Sequence, residues 1–86
     1  MKVISKDIEC VVWFSKDGIK PIKFRYKNAE DENIVIKVDK IISKQKEKLC
    51  GNFAWIYDCQ SEIDGIVKLF QLKYFIEECK WVLWKI

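Results

Sequence analysis

"VVWFSKDGIKPIKFRY", Val11 to Tyr26, is the stretch that decides the fold. It opens on four β-branched or aromatic residues, and Asp17-Gly18 follows shortly after. That pair suits a tight hairpin turn, because glycine accepts positive φ without a steric penalty. The return limb then alternates. Ile22, Phe24 and Tyr26 fall on one face, and Pro21, Lys23, Arg25 and Lys27 fall on the other. Proline cannot donate a ladder hydrogen bond, so Pro21 belongs near a strand's start or at an edge. The pattern predicts a strand over Ile8–Phe14, a hairpin, and a second strand with Phe24 and Tyr26 in the core.

Working outward, the same grammar recurs. "NAEDEN" is a polar loop, and "IVIKVDKII" (Ile34–Ile42) is a third strand. Its apolar phase shifts between Val38 and Ile41, which predicts a bulge or bend. "SKQKEKLCGN" reads as the longest polar connection. "FAWIYDCQSEI" (Phe53–Ile63) alternates, with Phe53, Trp55, Tyr57 and Cys59 on one face. Asp64-Gly65 marks a second hairpin, "IVKLFQLKYF" returns from it, and Glu77-Glu78 tips a last turn before "KWVLWKI".

A helix over residues 66–80 is the competing reading, since Ile66, Leu69, Phe70 and Lys73 share a helical face. The Asp-Gly start and the aromatic and β-branched content favour strands. The 86 residues therefore form one domain. The expected fold is all-β, a small antiparallel meander of five to six strands rolled into a β-barrel or β-roll. The four tryptophans are expected to supply most of the core filling.

The hairpin stretch, with "IVIKVDKII", the turn around "SEIDG" and the terminal "KWVLWKI", resembles a family of small uncharacterised bacterial β-domains. Those domains share a turn Asp-Gly, a proline, and Phe-Arg followed by an aromatic, matched here by Asp17, Gly18, Pro21, Phe24, Arg25 and Tyr26. Trp81 matches near the end. Some members are encoded near genes for error-prone DNA polymerases. The resemblance implies a β fold and a bacterial source, and it carries over no catalytic residue. This chain departs from the pattern in the 43–52 connection, which is lysine-rich where the family would place aromatics.

Composition narrows the chemistry. Histidine is absent, which removes the commonest general base and metal ligand at neutral pH. Cys10, Cys50, Cys59 and Cys79 form no closely spaced pair, so neither a zinc site nor any other cofactor is expected. Cys10 and Cys59 fall on apolar strand faces as small hydrophobes, and Cys50, beside Gly51, is the exposed thiol. With three glycines there is no phosphate loop and no nucleophile elbow. An enzyme is not expected. The N-terminus shows no signal-peptide pattern, and no run approaches the ~20 apolar residues of a membrane span. The expectation is a cytoplasmic protein with reduced thiols and no membrane partner.

The net charge of +3 is uneven: residues 1–48 hold 12 Lys/Arg against 8 Asp/Glu. Lys23, Arg25 and Lys27 share the outward face of the second strand. Alternate side chains there stand about 7 Å apart, commensurate with the phosphates of a nucleic-acid strand. Trp13 and Trp84 lie out of phase with the core set, as stacking residues on a small barrel would. These five residues are the nucleic-acid-binding candidates read from sequence, with single-stranded nucleic acid as the partner. Plain solvation of a strand face is the competing account of the row. The second functional class is a protein-interaction module, either a monomer or a homodimer joined through an edge strand.

Overall fold

The computed structural model describes all 86 residues. It contains seven strands and no helix: β1 (Val3–Ser15), β2 (Gly18–Lys27), β3 (Asn33–Lys37), β4 (Lys40–Leu49), β5 (Asn52–Ile63), β6 (Ile66–Phe75) and β7 (Lys80–Lys85). All pairings are antiparallel, in the order β3-β2-β1-β7-β6-β5-β4. The sheet curls into a half-barrel. The all-β class stands, with one strand more than the sequence suggested.

One strand and one bend make the corners. β1 pairs with β7 over Val3–Ile8 and with β2 over Glu9–Ser15, so it serves two ladders in turn. At the other corner the chain bends at Val38–Asp39, between β3 and β4. This is the phase shift visible in "IVIKVDKII". The bend carries the chain from one edge of the sheet to the other, and β5 secures it. Buried Ser61 donates its hydroxyl to the Lys37 carbonyl (2.6 Å) and accepts from the Asp39 amide (3.1 Å). The Asp39 carboxylate in turn accepts from the Glu62 amide at 2.8 Å.

The core lies on the concave face. Phe24, Ile36, Tyr57, Cys59, Phe70, Leu72, Trp81 and Leu83 form one buried cluster, with Cys10, Val12, Ile19 and Tyr26 packed against it. Phe24 is 2 % exposed and meets Phe70 with ring centroids 5.6 Å apart. Of the four tryptophans only Trp81 is buried. Trp55 and Trp84 are half-buried and Trp13 is exposed, so Tyr57, Phe24, Phe70 and the leucines do the filling that the tryptophans were expected to do.

Bulges decide which face each residue takes, because one extra residue inverts the alternation beyond it. In β2 the extra residue is Ile22: Val11 pairs with Lys23, but Val12 pairs with Pro21. Pro21 is therefore buried with Ile19, not outward with Lys23 as strict alternation had it. In β7 the extra residue is Trp84, which simple alternation already sets on the face opposite Trp81 and Leu83. In β4 the extra residue is Ile42, since Ile41 pairs with Cys59 and Ser43 with Asp58. That third bulge decides which face the β4 lysines take.

Candidate functional site

The lysine-rich segment is a strand, not the polar connection read from sequence. β4 returns into β5 through Cys50-Gly51, whose φ angles are +52° and +84°. Two positive φ values in a two-residue loop match the right-handed twist of the flanking strands. From this turn the register runs Lys48 with Phe53, Lys46 with Trp55 and Lys44 with Tyr57. Ile41 points inward. Without the bulge at Ile42, Ser43, Gln45 and Glu47 would follow it and the lysines would face out. The bulge inverts this and sets Lys44, Lys46 and Lys48 on the same face as Phe53, Trp55 and Tyr57.

The lysine ammoniums lie over the rings. Lys44 Nζ is 4.3 Å from the centre of the Trp55 ring and 5.5 Å from that of Tyr57. Lys46 Nζ is 4.4 Å from Phe53 and 5.6 Å from Trp55, and Lys48 Nζ is 5.4 Å from Phe53. These are cation–π distances. None of the three lysines forms an ion pair, because all four ion pairs of the fold lie elsewhere. Glu47, the one acid among them, projects from the opposite face. There it binds Lys73 at 3.2 Å, and the Lys73 ammonium lies 3.8 Å from the centre of the Trp84 ring. Lys73 is buried, and the alternation that pairs Glu47 with Ala54 already keeps this acid off the lysine face.

The residues singled out in the sequence are differently placed. Lys23, Arg25 and Lys27 do face outward together, as exposed residues on β2. Arg25 forms a two-pronged ion pair with Glu9 across the ladder, at 3.0 Å and 3.3 Å. The guanidinium holds the Glu9 carboxyl below its usual range, chiefly by hydrogen bonding. Lys27 pairs with Asp31 at 3.4 Å. Of the row, only Lys23 keeps an unpaired charge. Trp13 stands opposite Lys20 on the same outer face and is 65 % exposed. Trp84 belongs to a different neighbourhood, at the far end of β1 beside Val3 and under Lys73.

Sequence reading missed the lysine–aromatic ladder, although its signal was present. Lysines at 44, 46 and 48 mirror aromatics at 53, 55 and 57 about Cys50-Gly51, a pair less familiar as a hairpin turn than Asp-Gly. No group of three Cys, Asp or Glu side chains is spaced to hold a metal ion. Burial pushes the Cys10 and Cys59 thiols up to about 12, leaving them protonated at neutral pH, whereas Cys50 and Cys79 are exposed.

Fold and site together define a small antiparallel half-barrel carrying an acid-free lysine–aromatic face. Comparison with protein-family models, curated proteins and solved structures finds no match.

Proposed function

We propose that the protein binds single-stranded nucleic acid along the Lys44–Lys46–Lys48 face and performs no reaction on it. The observation that carries this reading is the register of three unpaired lysines over three aromatic rings. Each half of the arrangement has a use in such a complex. The ammoniums neutralise phosphates, and the two open rings, Phe53 and Trp55, accept unstacked bases, while buried Tyr57 serves as the floor beneath Lys44.

Magnitudes favour the exchange. An exposed cation–π contact is worth about 0.5–1 kcal/mol. A base stacked on an aromatic side chain is worth about 1–3 kcal/mol. Moving the lysines off the Phe53 and Trp55 rings to phosphates and replacing them with bases is therefore favourable on these figures. Paired bases cannot offer their faces in this way, which is why the reading specifies a single strand.

The alternative, a homodimer joined through an edge strand, has less support. The long free edge is β4, and Lys40, Lys44, Lys46 and Lys48 along it oppose pairing with a like edge.

The test is fluorescence anisotropy with a short labelled oligothymidylate at low salt. Binding should weaken with salt with a log–log slope of about −2, as expected for three phosphate contacts on a single strand. Trp55→Ala should weaken it at least tenfold. Absence of binding by the folded protein, or a Trp55→Ala variant that binds as tightly, would overturn the reading.

A further inference from the structure

Where the β1–β2 hairpin meets β4, a notch of about 370 Å³ opens at the Lys44 end of the lysine face. Trp13, Ser15, Asp17, Lys20, Lys44 and Tyr57 are among its walls. Ligand pockets begin at roughly 300 Å³, so the space suits one nucleobase. We infer that this notch is a base pocket selective for guanine. The inference rests on the single-strand reading above and deepens it by adding sequence preference to a sequence-tolerant platform.

Three features of the notch point to a base. Trp13 lies on its rim with most of its ring exposed, as a stacking surface must be. The Lys44 ammonium reaches across the gap to Gly18, so closely that a Cβ there would come within 2.7 Å of Nζ. Gly18 thus does two things: its φ of +110° turns the hairpin, and its missing side chain admits the ammonium. Asp17 supplies the third feature. Its amide bonds the Ser15 hydroxyl at 3.1 Å, which orders the turn, and its carboxylate makes no ion pair.

The lining therefore includes an acidic residue and a basic one, Asp17 and Lys44, which form no ion pair with each other. Guanine matches both. Its N1–H and 2-amino group lie side by side for the two carboxylate oxygens, and its O6 and N7 accept from the ammonium. Adenine and cytosine present one amino group to a carboxylate. Thymine and uracil flank their single N–H with two carbonyl oxygens, which the carboxylate repels. Tyr57 takes no part in reading the base, because its hydroxyl already donates to the Ile19 carbonyl.

The experiment compares labelled six-nucleotide strands: all-thymine, and the same strand with guanine, adenine or cytosine at the 5′ or 3′ end. Wild type should bind one of the guanine strands at least fivefold more tightly than all-thymine. Asp17→Asn, which the turn tolerates, should abolish that preference while leaving all-thymine affinity within twofold. Trp13→Ala should weaken the guanine strand most. Equal affinity for all strands, or a guanine preference that survives Asp17→Asn, overturns the pocket and leaves the lysine face standing. Failure of the folded wild type to bind any strand, all-thymine included, overturns both.

Discussion

Two strands of this half-barrel carry three basic residues each at alternate positions, and they differ in what surrounds the charges. On β2, Arg25 is locked to Glu9 and Lys27 to Asp31, and the residues behind them, Phe24 and Tyr26, belong to the core. On β4 no carboxylate forms an ion pair with Lys44, Lys46 or Lys48, and two of the rings beneath them, Phe53 and Trp55, are partly open to solvent while Tyr57 belongs to the core. A basic row thus acquires different meanings from its register partners. Opposite Glu9 it staples a hairpin, and opposite Phe53 and Trp55 it stays unpaired over aromatic rings, the surface proposed to receive a single strand.

The largest expected contrast lies in the phenylalanines behind the two rows. Phe24→Ala should cost about 3–5 kcal/mol and unfold so small a domain. Phe53→Ala, on the open face, should cost under about 1 kcal/mol. Urea titration of both variants checks this. Comparable losses would mean that Phe53 is a core residue and the lysine face is not open.

The thiols sharpen the same comparison. Cys10, opposite Phe24, is largely hidden, while Cys50 sits at the tip of the lysine hairpin. In the native protein a thiol reagent should modify Cys50 and Cys79 promptly and reach Cys10 and Cys59 only on unfolding. Burial raises the latter two thiols from 9.0 to about 12. A raised acid pKa means the neutral form is favoured in the fold. Stability from these groups is therefore complete below pH 9 and is lost as pH climbs toward 12. Melting curves across that range, for wild type and Cys59→Ala, measure the effect.

The smallest effect belongs to the Arg25–Glu9 pair, which is exposed and screened. Glu9 is held below its ordinary 4.5, so the pair's contribution is complete above that value and is lost below it as acid protonates the folded-state carboxylate. Glu9→Gln should lower the melting temperature slightly at neutral pH and not at all in strong acid. A large loss at neutral pH would make this pair a principal support of the hairpin.

Much of the architecture was legible because local signals agreed with the fold. Asp64-Gly65 closes a hairpin with φ of +51° and +78°, Gly18 turns another, and Phe24 is core. What escaped was phase. The extra residues Ile22, Ile42 and Trp84 are ordinary apolar residues, and nothing in their identity marks a bulge. Only pairing with a neighbouring strand reveals them. Strict alternation puts Pro21 on the wrong face for that reason. Lys44, Lys46 and Lys48 read as loop residues in sequence because lysine is depleted in strands and an edge strand needs little apolar surface. Arg25 was read correctly as outward-facing. Its neutralisation by Glu9, sixteen positions earlier, depends on a register that no local pattern carries.

The most direct measurement sets the two rows against each other. Two folded charge-reversal variants, Lys44→Glu/Lys46→Glu and Lys23→Glu/Lys27→Glu, are titrated against one labelled oligothymidylate at low salt. Each changes net charge by the same amount, so bulk electrostatics cancels in the comparison. The β4 variant should lose affinity more than tenfold and the β2 variant less than threefold. Equal losses, or a greater loss from β2, would contradict the account.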